Sequence, residues 1–179
     1  MNKQFIEEVQ INNPIGNLYR KSHVLILVEK EDGSFILGKK KGFYPDHIAR
    51  MIGGGIDPDE DSRVAAQREI TEELTIDLAL ESFKKLFEVI TRAKTSEGDM
   101  EMITHVYHVV VSNEDVKKIT ASDDLSDTST YTKDEYLELI NDMNKLDTDF
   151  VTDTFSFSWA DWAKIYAPIH QYVIGEYKK

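Results

Sequence analysis

The chain has 179 residues, with 21 Lys and Arg against 33 Asp and Glu, giving a formal net charge of −12. Hydrophobic residues make up 41% and charged residues 30%, the balance of a folded soluble domain rather than a disordered or membrane-embedded chain. The length suits one domain with a sizeable core, and the acidic excess argues against nonspecific binding to nucleic acid or anionic lipid.

A small phosphorylated substrate stays compatible with that charge, because a bound metal inverts the local field. There is no cysteine, which removes disulfides, thiolate catalysis and Cys-ligated zinc. The polar N-terminus lacks the apolar stretch of a secretory signal, and no window approaches the roughly 20 apolar residues of a membrane helix. A cytoplasmic protein is expected, with no membrane partner. Residues 1–50 carry 8 basic and 6 acidic side chains, whereas residues 112–153 hold 12 acids and 4 lysines. The latter reads as an acidic insert, either a lid or a surface elaboration.

In chain order, Val24–Val28 and Phe35–Gly38 flank the turn Glu31–Ser34 and predict a hairpin. Lys39, Lys40 and Lys41 follow as a basic loop, and Gly53-Gly54-Gly55 forms a turn that lets the backbone approach a neighbour closely. Asp61 or Ser62 caps a helix to about Leu74, with Val64, Ala65, Ala66, Ile70 and Leu74 at helical spacing. Leu86–Thr91 and Met102–Val111 predict strands around a polar turn at Lys94–Asp99. Asn113–Lys118 reads as a helical turn and Ala121–Thr130 as a loop. Thr132 caps a helix from Lys133 to about Asn144 with Leu137, Ile140 and Met143 on one face. Asp147–Thr154 reads as a loop. From Ser158 an amphipathic C-terminal helix carries Trp159, Trp162 and Tyr166, read as a core stripe, and Pro168 either kinks it or begins a new turn. The order predicts a single mixed α/β or α+β domain over residues 1–179.

The chemistry concentrates in GGGIDPDEDSRVAAQREITEELTI, residues 53–76. Glu69, Glu72 and Glu73 stand at i, i+3 and i+4 and share a helix face. Adjacent carboxylates repel, so the cluster costs stability unless cations neutralise it. Hard divalent ions suit such oxygen donors, and the cluster only makes sense with them bound. Arg68 adds a fixed cation able to pair with one acid, and Glu60 stands close enough to reach the cluster.

The segment resembles the Nudix box, G-x5-E-x7-R-E-U-x-E-E-x-G-U with U bulky and apolar. Gly54, Glu60, Arg68-Glu69, Ile70, Glu72-Glu73 and Ile76 fit without a gap over 23 of the 179 residues. Thr75 departs from the family's glycine at the helix exit and should alter that exit more than the metal site. Asp59 stands where a glycine often precedes the first glutamate.

The resemblance implies an α/β/α sandwich with a mixed sheet. It implies hydrolysis of a diphosphate linkage in a nucleoside diphosphate derivative, using Mg²⁺ or Mn²⁺. By it, Glu69, Glu72 and Glu73 with the Gly53 carbonyl are metal ligands. Glu72 alternatively orients water, Arg68 orients the cluster, and Gly54 and Glu60 support it. A general base lies in the box or in a later loop, where Glu97, Asp99, Glu101, Asp123, Asp124 and Asp127 are candidates, each singly more readily plain surface. Weaker substrate-binding candidates are Lys39, Lys41, Tyr44 and Arg50, with Phe43 and His47 in the same approach loop. His105 and His108 make a poor metal pair. The family's substrate markers after the box are not met, since Thr91, Ala93 and Lys94 stand at those positions. A homodimer is common in the family. The competing reading is a non-catalytic nucleotide sensor on the same scaffold.

Overall fold

The computed structural model describes residues 3–12, 19–39, 43–120, 127–152 and 156–178. Strands β1 (Gln4–Gln10), β2 (Ser22–Lys30), β3 (Phe35–Lys39), β4 (Lys84–Thr95), β5 (Gly98–Val111) and β6 (Asp127–Tyr131) form one sheet in the order β1-β4-β5-β2-β3-β6. Pairs β1/β4 and β2/β5 are parallel and the rest antiparallel, so the sheet is mixed.

Val24–Val28 is buried on both faces, which is why it reads as an unbroken apolar run rather than an alternation. Leu25 and Leu27 join Phe35, Leu37, Phe87 and Val106 on one face, under α3 (Lys133–Met143) and α4 (Trp159–Glu176). Val24, Ile26 and Val28 face the other way, against Ala65, Ala66, Ile70 and Leu74 of α1 (Ser62–Leu74). The result is an α/β/α sandwich with a mixed sheet, as the family resemblance implied. No helix among the described residues is long and apolar enough to cross a membrane.

The feature that positions the site is a fork in the sheet. Strands β2 and β3 pair only at Val28↔Ile36 and Glu29↔Phe35, then part. Residues 50–56 fill the gap. Arg50 exchanges both backbone bonds with Gly38 of β3, while Ile26 and Val24 of β2 donate to the carbonyls of Ile52 and Gly54 at 2.8 and 3.0 Å. Gly53 lies between these rungs with φ 144°, and a Cβ there would stand 2.2 Å from the Val24 carbonyl oxygen. Only glycine passes.

Helix α1 begins where Asp61 accepts from the Arg63 N–H at 2.8 Å, and it ends at Thr75 with φ 58° and ψ 26°. Both departures from the family pattern, Asp59 (φ 66°) and Thr75, are the described non-glycine residues with positive φ. Thr75 thus takes the left-handed conformation a glycine takes with least strain. Its hydroxyl compensates by hydrogen bonding to the carbonyl and N–H of Thr120, both at 3.2 Å.

Several expectations need correction. β1 is a strand that its charged, weakly alternating sequence concealed; it pairs in parallel with β4 at the sheet edge. Residues 127–130, expected as loop, belong to β6 against β3, and 149–151, also expected as loop, form β7 (Asp149–Val151), paired with β8 (Ser156–Ser158). Residues 121–126 lie outside the described residues. The β4–β5 strands run longer than predicted, through Thr95 and from Gly98, leaving a two-residue turn. Helix α3 buries Tyr136, Leu139, Ile140 and Met143, while Leu137 is exposed; on α1, Val64 is exposed too. Pro168 sits inside α4 without ending it. The acidic stretch is built into the fold over its described residues, since β6 extends the sheet and α3 covers the core.

Two core histidines carry a pH signature. Burial lowers both His23 and His170 from 6.5 to about 3. His23 Nε2 lies 3.2 Å from the Thr104 hydroxyl, and His170 Nδ1 lies 2.6 Å from the Tyr136 hydroxyl. The unfolded chain therefore binds protons that the fold refuses, and stability falls as pH drops from about 6.5 toward about 3. The variant His170→Phe should flatten the pH dependence of the urea midpoint across this window; an unchanged slope would contradict neutral burial. At the helix exit, Thr75→Ala keeps the left-handed strain and loses the Thr120 contacts, at a cost of about 1–2 kcal/mol. Relief of strain should leave Thr75→Gly the more stable of the two in the same urea titration.

Candidate functional site

Helix α1 does not present its three glutamates equally. Glu69 and Glu73, one turn apart, point inward beside Ile70 and Leu74 and are buried at 8% and 6% exposure. The Glu72 side chain, 57% exposed, stands at the solvent edge. Buried carboxylates need partners, and two arginines supply them.

Arg68 is the first. Its guanidinium donates through Nε and Nη2 to the two oxygens of Glu60, both at 2.9 Å, a bidentate fork. Nη1 reaches Glu69 at 2.9 Å and Glu72 at 3.0 Å, and Nη2 also donates to the Gly55 carbonyl at 2.9 Å. Glu60 in turn accepts from the Asp57 N–H at 3.0 Å. One side chain thereby ties the loop, the glycine turn and the helix together. The hydrogen bonds from Arg68 hold Glu60 below the usual carboxylate range. For Glu69 burial wins: its carboxyl is pushed up by desolvation despite Arg68, with Glu73 and Glu72 adding repulsion.

Arg50 is the second, and its position was not legible in the sequence. It was expected in an approach loop as a substrate contact. Its guanidinium instead donates to Glu73 Oε1 at 2.5 Å, to the Gly53 carbonyl at 2.8 Å and to the Met51 carbonyl at 2.9 Å. The Gly53 N–H donates to the other Glu73 oxygen at 3.1 Å. Burial opposes the charge on Arg50, yet Glu73 more than offsets it and holds the guanidinium firmly protonated. Tyr44 packs beside Arg50 and against Trp159 and Trp162. The register pairing of Arg50 with Gly38 puts the arginine here, and no local sequence signal reports a fork between strands.

Gly54 completes the cradle. A Cβ at this position would lie 2.5 Å from Glu69 Oε1, so the glycine makes room for the carboxylate. The donors beside the turn are hard oxygens: the Gly53 carbonyl and the carboxylates of Glu69 and Glu73. That chemistry and that cradle fit a small divalent cation. Among the described residues, no three acidic or histidine side chains are gathered into a metal-ready cluster, because each carboxylate is drawn to an arginine. The expectation that only divalent ions make sense of the cluster therefore needs amending: Arg50 and Arg68 already balance much of its charge.

Other candidates scatter. Lys39 ends β3 opposite Asp127 of β6, and Lys41, Asp123 and Asp124 lie outside the described residues. Glu101 pairs with Arg92 at 3.0 Å, while Glu97 sits in the β4–β5 turn and Asp99 lies in β5 opposite Lys94. His105 contacts Glu88 and His108 contacts Glu29, so they do not converge. Trp159 and Trp162 are core.

With this geometry in hand, comparison with known proteins gives a consistent answer. The NUDIX domain family model matches residues 19–153. No curated protein matches the sequence. Among solved structures, the chain is similar to the dihydroneopterin triphosphate pyrophosphohydrolase of E. coli, with TM-score 0.53, 15% identity, and coverage of 87% of this chain and 96% of that one. It is similar to the NUDIX domain of Shewanella oneidensis NrtR, solved with ADP ribose, with TM-score 0.52, 16% identity and coverage of 70% and 81%. A MutT/nudix family protein from Enterococcus faecalis matches with TM-score 0.50 and 16% identity over 66% of this chain, which spans 46% of that protein's length. These likenesses show the fold, and the family model covers most of the sequence. The chain belongs to the Nudix family.

Proposed function

We propose that the protein hydrolyses a diphosphate linkage in a nucleoside diphosphate derivative, with Mg²⁺ or Mn²⁺ as cofactor. The observation that carries this reading is the pair of buried glutamates, Glu69 and Glu73, held against the Gly53-Gly54 turn within a full box. The ion would be held by the Gly53 carbonyl, Glu69 and Glu73, with Glu72 at the open edge. When bound, it neutralises diphosphate charge and lowers the pKa of a water. The chain's own residues do the rest. Arg68 fixes the distance between helix and loop. Glu72 is the most exposed of the three, which supports a role in orienting water or accepting its proton. The similarity to a triphosphate pyrophosphohydrolase and to an ADP-ribose-binding domain supports a small nucleotide derivative as ligand.

A second reading has one observation behind it. Because Arg50 and Arg68 balance the carboxylates, the cluster is tolerable in a chain that binds a nucleotide without cleaving it. A phosphate-release screen across nucleoside diphosphate derivatives, with and without Mg²⁺, separates the two. We expect turnover of at least one compound, abolished by a chelator. Glu72→Gln should lower kcat by about 10²–10³-fold while leaving stability within about 0.5 kcal/mol, as suits an exposed side chain. The buried counterpart Glu73→Gln should abolish metal-dependent cleavage. Tight nucleotide binding with no turnover would favour the sensor, and full activity in both variants would overturn the site.

A further inference from the structure

We propose that Arg50 is a resident cation occupying the metal-binding side of the turn, so that a divalent ion binds there only by displacing its guanidinium. The inference rests on reading Gly53 and Glu73 as metal ligands and goes beyond it, because it concerns how the ion gains access.

The geometry is specific. The two terminal nitrogens of Arg50 straddle the donors in question: Nη1 on the Gly53 carbonyl at 2.8 Å and Nη2 on Glu73 Oε1 at 2.5 Å. The remaining Glu73 oxygen is engaged by the Gly53 N–H at 3.1 Å. A cation bridging these two oxygens would have to stand where the guanidinium now bridges them. It would also meet a fixed positive charge in a poorly solvated place, since the Arg50 side chain is 20% exposed. Arg68 is arranged differently. It approaches from the loop side, bridges Glu60 to Glu69 and Glu72, and does not touch Gly53 or Glu73. The two arginines therefore have separable roles: Arg68 braces the site, whereas Arg50 fills it.

The Arg50 backbone is fixed by its paired bonds to Gly38, so exchange must be a side-chain movement. A chain built this way folds with its carboxylates balanced before any metal arrives. It also gives up metal affinity, because each binding event breaks the Arg50–Glu73 pair. Once displaced, the guanidinium is a mobile positive charge at the mouth of the site, suited to an anionic diphosphate.

The test is Mn²⁺ binding by the full chain, read from the EPR signal of free Mn²⁺. Arg50→Met should bind Mn²⁺ at least tenfold more tightly than the wild type. Arg50→Lys, which keeps the charge without the fork, should fall between them. Equal or weaker binding by Arg50→Met, with wild-type binding intact, would overturn the proposal and leave the hydrolase reading standing. No Mn²⁺ binding by any of the three would overturn both. A wild-type measurement guards against a misfolded variant: on titration with Mg²⁺, the Arg50 Nε–H NMR signal should shift with the same midpoint as the backbone signals of Glu69 and Glu73. Movement of the helix signals with a stationary Arg50 signal would also overturn the proposal.

Discussion

Two carboxylates buried on one helix face set the terms for the rest of this molecule. Glu69 and Glu73 turn inward with Ile70 and Leu74, so the apolar stripe that docks α1 on the sheet also carries charge into it. Burying a carboxylate without a partner costs several kcal/mol. The fold answers with two arginines from different directions and with two glycines that let backbone and carboxylate meet. The loop 57–60, the sheet fork and the helix are thereby coupled. Arg68 cannot be released without unpairing Glu60, Glu69, Glu72 and the Gly55 carbonyl together.

Much of this was legible in the sequence, and for local reasons. The box residues are close in sequence, and helical spacing alone puts Glu69 and Glu73 together. The Val24–Val28 strand, the capped α1 and the C-terminal helix follow from patterns a short window contains. What failed was non-local. β1 and β6 pair with the free edge of a neighbouring strand, and although Gln4–Gln10 and Asp127–Tyr131 hold strand-favouring residues, neither shows the apolar run or alternation that marks a strand in a short window. Arg50, expected as a weak substrate contact, also has a partner that its loop neighbours do not announce. That partner is 23 residues away, and the meeting depends on β2 and β3 parting.

The departures from the family pattern are instructive for the same reason. Asp59 and Thr75 replace glycines, yet the backbone keeps a positive φ at both. The surrounding structure dictates the turn, and the side chain adapts. At Thr75 the adaptation is a set of contacts to Thr120, which ties the end of α1 to the segment leaving α2 (Asn113–Val116).

The fork in the sheet has a further consequence. The Gly53 carbonyl sits between two rungs that β2 holds at 2.8 and 3.0 Å, and a third bond joins Ile56 to the Ser22 carbonyl. A carbonyl oxygen mounted on sheet backbone has little freedom to relax. In the ligand role proposed for it, its dipole would be aligned in advance, leaving little reorganisation free energy to be spent. Rearrangement at this site falls to long side chains above hydrogen-bonded sheet backbone.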